Sequence, residues 1–135
     1  MKVFITGTFD LLHPGHMDFI EKASRYGDLY VGVGSDYSVE KYKNKKPIFN
    51  QHERVYMLKH VVGVVDAFVN SGEGQLDFEN EIRLLKPDFF IVNEDQHTDE
   101  KIDLCERLNV SYMVFLREPP QNLPARSSTD IREKL

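Results

Sequence analysis

His13 and His16 stand three residues apart in the run Gly7-Thr8-Phe9-Asp10-Leu11-Leu12-His13-Pro14-Gly15-His16, and that combination is suited to holding phosphate. Gly7 and Gly15 let backbone N–H groups approach an anion with no Cβ in the way. Two imidazoles at this spacing share one helix face, where they donate hydrogen bonds to phosphate oxygens or share positive charge with them. Pro14 fits a first helical turn, in which its missing N–H costs nothing. Either histidine alone reads as a helix cap or a solvent-facing side chain. Joined by two glycines, Thr8 and Asp10, the pair reads as an anion site.

Two further groups of residues have phosphate chemistry. Lys41, Lys43, Lys45 and Lys46 crowd one segment of an otherwise acidic chain. Near the C-terminus, Arg126 precedes Ser127, Ser128 and Thr129. A helix N-cap accounts for one of these hydroxyls and leaves the others, with the arginine, free to hold phosphate oxygens. No Ser or Cys is spaced with a His and a carboxylate as an activated nucleophile requires, so an attacking group must come from a substrate.

These groups need elements to bring them together. Val3-Phe4-Ile5 reads as a strand leading into the histidine turn, and Met17, Phe19, Ile20 and Ala23 give the helix after it. Leu29–Val33 is apolar on both faces, as a buried parallel strand is. Val55, Leu58, Val61 and Val62 mark a helix capped by Asn50, with Glu53 in its first turn. Ala67–Val69 is a strand, Asp77–Lys86 a helix closed by Pro87, Phe89–Val92 a strand, Lys101–Leu108 a helix and Tyr112–Phe115 the last strand. Five strands alternating with helices predict an α/β, Rossmann-like open parallel sheet covered on both faces, in one domain spanning 1–135. In such a sheet ligands bind beyond the C-terminal strand ends. The histidine turn, the lysine segment, Asn93-Glu94-Asp95 and Arg117–Thr129 all fall on that edge. The Pro-rich run Glu118–Pro124 is placed to cover its mouth.

Composition narrows the partners. A net charge of −5 opposes broad binding to nucleic acid. No apolar run is long enough for a membrane span or a signal peptide, and the lone Cys105 has no disulfide partner, so the expected home is the reducing cytoplasm. Nothing resembles a permanent metal site.

Gly-Thr-Phe-Asp followed by His-Pro-Gly-His resembles the signature of the HxGH nucleotidyltransferases, and the Phe-Asp-Leu-Leu-His wording is closest to their cytidylyltransferase branch. The resemblance covers almost the whole chain. It implies transfer of a nucleoside monophosphate from a triphosphate to a phosphorylated acceptor, with pyrophosphate leaving. It also implies His13, His16 and Lys43 as catalytic. Gly7, Thr8, Phe9, Asp10, Gly15, Lys45, Asp95, Arg126, Ser127, Ser128 and Thr129 become nucleotide-binding, with Lys43 and Arg54 on the acceptor. A Mg²⁺ ion would arrive with the triphosphate, and the family suggests a two-fold homodimer, for which the apolar stretch Val61–Val65 offers a surface.

The resemblance divides on the base. The first motif favours CTP with a polyol, sugar or alcohol phosphate, whereas Ser127-Ser128-Thr129-Asp130-Ile131-Arg132 is similar to the adenylyltransferase form, which uses ATP. CTP is the first expectation and ATP on a sugar phosphate or mononucleotide the second. A nucleotide-binding regulatory module without turnover is the rival from another class.

Overall fold

The computed structural model describes residues 1–118 and 123–134. Val3, Phe4 and Ile5 in strand β1 (Lys2–Gly7) are each 0% exposed, which fixes β1 at the centre of the sheet. Their side chains alternate between faces, as a strand's period of two requires. Val3 and Ile5 join a core containing Phe19, Ile20 and Ala23 of α1 (Pro14–Ser24) and Leu58 of α3 (Gln51–Lys59). Phe4 enters the opposite core, with Phe78, Ile82 of α4 (Glu79–Leu85) and Leu104 of α5 (Asp99–Leu108). The remaining strands are β2 (Asp28–Val33), β3 (Val64–Val69), β4 (Phe89–Asn93) and β5 (Ser111–Phe115). All pairings are parallel, in the order β3-β2-β1-β4-β5. The fold is therefore the expected α/β, Rossmann-like five-stranded sheet.

The chain passes from β1 to β2 on one side and later enters β4 on the other, so strand order reverses beside β1. That reversal opens a crevice between the ends of β1 and β4. Local signals place the helices around it. Asn50 and Glu53 form a complete capping box at the start of α3, with Asn50 Oδ1 accepting from Glu53 N at 2.9 Å.

The lysine segment begins in a helix that the sequence pattern does not mark. A helix, α2 (Asp36–Lys43), fills Asp36–Lys43, with Ser35 as its N-cap and Asn44 ending it in the left-handed region at φ 54°. Its buried face holds only Ser38 and Val39, too few apolar positions for periodicity to reveal it. Strand β3 also begins earlier than expected, at Val64, because Val61 and Val62 lie in the turn after α3 rather than in a longer helix. A final helix, α6 (Ser128–Glu133), starts at the serine pair. Residues 119–122 of the Pro-rich run lie outside the described residues.

Candidate active site

Helix α1 begins at the edge of the crevice, and His13 is its N-cap. Its Nδ1 accepts a hydrogen bond from Gly15 N at 3.1 Å. With Nδ1 an acceptor, the neutral ring carries its proton on Nε2, and that buried donor has no partner among the described residues. Gly15 is needed for the contact, since a Cβ there would stand 2.9 Å from the His13 ring. His16 stacks on His13 with centroids 3.8 Å apart, and its Nδ1 is likewise without a partner. Phe9 meets the outer edge of His16 at 5.4 Å and adopts φ 51°, a conformation that costs a non-glycine residue energy and here aims the ring inward. His13 lines the cleft and is only 6% exposed.

Burial lowers the His13 pKa, and the guanidinium of Arg117 adds to the effect. For His16, burial, then His13, then Arg117 bring it down to about 4, against a weaker opposing contact with the Leu11 backbone. Both rings are thus neutral near pH 7, stacked beside a cation and the positive end of a helix, with unpaired ring nitrogens. An anion would resolve all three conditions.

The cleft around them encloses about 630 Å³, within the usual range for small-molecule sites. Lys43 and Lys45 line it from the end of α2. Lys43 Nζ donates to Thr8 Oγ1 at 2.6 Å, tying α2 to the histidine turn. Lys41 turns away to Glu73 at 3.2 Å, and Lys46 contributes its carbonyl to Arg132, so of the four lysines only Lys43 and Lys45 line the cleft. From the far side come Arg126, Ser127, Ser128 and Thr129, all lining the cleft. Ser127 caps α6 by accepting from Asp130 N at 3.1 Å, and Ser128 Oγ donates to Leu11 O at 3.3 Å. Asp95 lines the cleft after β4, ion-paired to Arg117.

Two residues expected to touch substrate are instead built into the frame. Arg54 is 0% exposed, its guanidinium donating to Thr8 O at 2.8 Å, Phe49 O at 3.0 Å and Asp36 Oδ1 at 2.7 Å. With its donors so occupied and its side chain enclosed, it reaches no acceptor phosphate; it fixes the histidine turn against α2. Asp10 is 4% exposed and accepts from Ile48 N and Phe49 N, both at 2.9 Å, while also pairing with Arg132. Its carboxylate anchors the loop before α3 and α6 from the wall of the cleft. Gly7 also serves the frame, since a Cβ there would stand 3.1 Å from the Phe9 ring.

Sequence reasoning missed Arg117 and Arg132 as individual site residues. Arg117 donates from Nη2 to Arg126 O at 3.1 Å as well as pairing with Asp95, so it links β5 to the α6 loop beside both histidines. The available signal was its place, as a cation in the loop just after the last strand. The assembled groups can grip a chain of phosphates between two helix N-termini, hold a second phosphate at Lys43, and offset charge on a leaving pyrophosphate.

Residues 4–134 match the family model described as cytidylyltransferase-like. Among curated relatives, the FAD synthase of Methanocella paludicola is 35% identical, over 99% of this chain and 95% of that protein. That of Picrophilus torridus is 30% identical, over 100% of this chain and 96% of its own length. Among solved structures, the lipopolysaccharide core biosynthesis protein of Thermoplasma volcanium aligns with TM-score 0.72 and 24% identity, over 88% of this chain and 97% of that one. Pantoate-beta-alanine ligase from Francisella tularensis, with TM-score 0.66 and 18% identity over 97% of this chain and 67% of that one, shares the fold.

Proposed function

Since the chain belongs to the cytidylyltransferase-like family of nucleotidyltransferases, we propose that it transfers AMP from ATP to flavin mononucleotide, forming FAD and pyrophosphate. The supporting observation is its likeness, over nearly its whole length, to proteins named FAD synthase. This reading favours ATP over the CTP expected from the first motif, and agrees with the adenylyltransferase wording of Ser127–Arg132. The acceptor is then a mononucleotide phosphate rather than a polyol phosphate.

In this reading a phosphate oxygen of the flavin nucleotide attacks the α-phosphorus of ATP. The bond from that phosphorus to the bridging oxygen breaks, and pyrophosphate departs. His13 Nε2, the α1 N-terminus and His16 stabilise the triphosphate as charge shifts onto it. Lys43 holds the attacking phosphate; Lys45, Arg126 and Thr129 hold the nucleotide. Of the carboxylates that line the cleft, Asp10 pairs with Arg132, Asp18 with Lys22 and Asp95 with Arg117. That arrangement suits a Mg²⁺ ion carried by triphosphate oxygens and water, which supplies charge neutralisation when bound. A reducing cytoplasm agrees with the single buried Cys105.

The test is to supply ATP or CTP with Mg²⁺ and either flavin mononucleotide or glycerol phosphate, following pyrophosphate and FAD. FAD should form from ATP with the flavin. Release of pyrophosphate only with CTP would overturn the nucleotide assignment, and binding of every pair without release would return the regulatory module.

The same reading includes a two-fold dimer through the β3 edge, where Val62 is 93% and Val65 55% exposed. Sedimentation at micromolar concentration should give twice the mass of 15.7 kDa. A monomer there would remove the dimer without touching the chemistry.

A further inference from the structure

Lys101 stands where helix electrostatics disfavour a cation. It lies in the first turn of α5, at the positive end of that helix, and is only 8% exposed. Its Nζ donates to Gln96 O at 2.6 Å, a neutral carbonyl rather than a carboxylate. Burial is the largest influence on its pKa and lowers it, with Lys43 adding to the fall against Asp77 and Asp95. The ammonium is therefore held at a cost to the fold. Nor does the carbonyl depend on it for a partner. Gln96 is exposed, so water can bond that oxygen when the lysine does not. What the bond adds is a fixed direction.

That direction is imposed on a single 3₁₀ turn, Glu94–Gln96, whose three residues line the cleft beside Asn93. The turn has little hydrogen bonding of its own, since His97 N reaches Glu94 O only at 3.4 Å. Groups from outside hold it instead. Arg117 donates its backbone N–H to Glu94 Oε1 at 3.0 Å and its guanidinium to Asp95. His97 Nδ1 and Tyr112 Oη share a hydrogen bond at 2.9 Å. Lys101 holds the turn from the helix, with its backbone N–H on the Thr98 cap at 3.3 Å and its Nζ on Gln96 O.

Arg117 also reaches Arg126 O at 3.1 Å, which makes the turn part of the same wall as the α6 loop. In the adenylyl-transfer reading that wall takes the nucleotide, whereas Lys43 takes the acceptor phosphate from α2. Resting on that reading, we propose that Lys101 is a positioning residue for the nucleotide: by fixing Gln96 O it holds the Glu94–Gln96 turn, and the Asp95–Arg117 pair on it, against the nucleoside end of the triphosphate. Its charge then serves the site at the expense of the fold. One substitution should accordingly move stability and substrate binding in opposite directions, which a residue serving only the fold would not do.

Lys101→Met keeps an unbranched apolar stem and removes the ammonium. Its melting temperature should equal or exceed the parent's, while KM for ATP should rise about tenfold, the scale of one lost hydrogen bond to a charged group. KM for flavin mononucleotide should be unchanged, because its phosphate is held from α2. Amide exchange should quicken at His97, whose N–H closes the turn, and stay as in the parent along the strands. A lower melting temperature, or failure to fold, would make Lys101 part of the frame and overturn the proposal. An unchanged KM for ATP, or an equal rise for both substrates, would overturn it as well. If the parent makes no FAD, the transfer reading fails by itself, and calorimetric titration with ATP and Mg²⁺ decides the role of Lys101. Weaker binding by the variant then supports that role; equal binding, or no binding by the parent, overturns it.

Discussion

Replacing His16 by alanine is expected to lower turnover by about 10²–10³-fold, the loss found when a donor that stabilises developing charge is removed, while the protein stays folded. His16 makes no cap; it stacks on His13, meets Phe9 edge-on and contacts the Leu11 backbone. His13 needs a different substitution, because it caps α1 through Gly15 N. Alanine there would also remove the cap, worth about 1 kcal/mol. His13→Asn retains a capping oxygen and discards Nε2, so its loss should appear in kcat with little change in melting temperature. Parallel loss of stability and turnover in both His16→Ala and His13→Asn would mean that the histidines serve the fold.

The same pair gives the stability a pH dependence of known sign. His16 titrates near the ordinary value of 6.5 when unfolded and at about 4 when folded. Between those values the unfolded chain binds more protons, so stability is complete above about pH 6.5 and is lost as pH falls toward 4. His16→Ala should flatten this acid-side decline. A bound triphosphate should oppose it, since negative charge beside the rings favours protonation.

Much of this was readable in advance because it is local. The glycines, Pro14 and the two histidines declare a strand-to-helix turn within ten residues, and the alternation of buried strands with helices declares the sheet. Parallel order follows from the connections, and with it the edge on which Lys43, Asp95 and Arg126 gather. What escaped depends on partners distant in sequence. Arg54 matched a motif position, yet its role is set by Thr8, forty-six residues away, and by Asp36. Asp10 has the residue type of a ligand contact, and only the loop at Ile48 and the guanidinium of Arg132 turn it into an anchor. Helix α2 was hidden because its stability comes from a Ser35 cap and from docking, with little apolar periodicity in the sequence.

Arg54→Ala is expected to act on stability first. Its removal leaves the carbonyls of Thr8 and Phe49 without their donor and Asp36 without its cation. It also leaves the space of a fully enclosed side chain. Breaking a buried ion pair on one side costs about 3–5 kcal/mol; Asp36 is 38% exposed and water relieves part of that, which favours the lower end. About 3 kcal/mol corresponds to a fall in melting temperature of roughly 10 °C in a chain of this size. Lysine cannot rescue it, because a point-charge ammonium lacks the planar fork that spans three acceptors in fixed directions. Turnover, measured well below the new melting temperature, should fall as well, since Thr8 and with it Lys43 lose their fixed position. Denaturant unfolding is the deciding measurement. An unchanged midpoint together with a raised KM for the phosphorylated acceptor would put Arg54 back in contact with substrate.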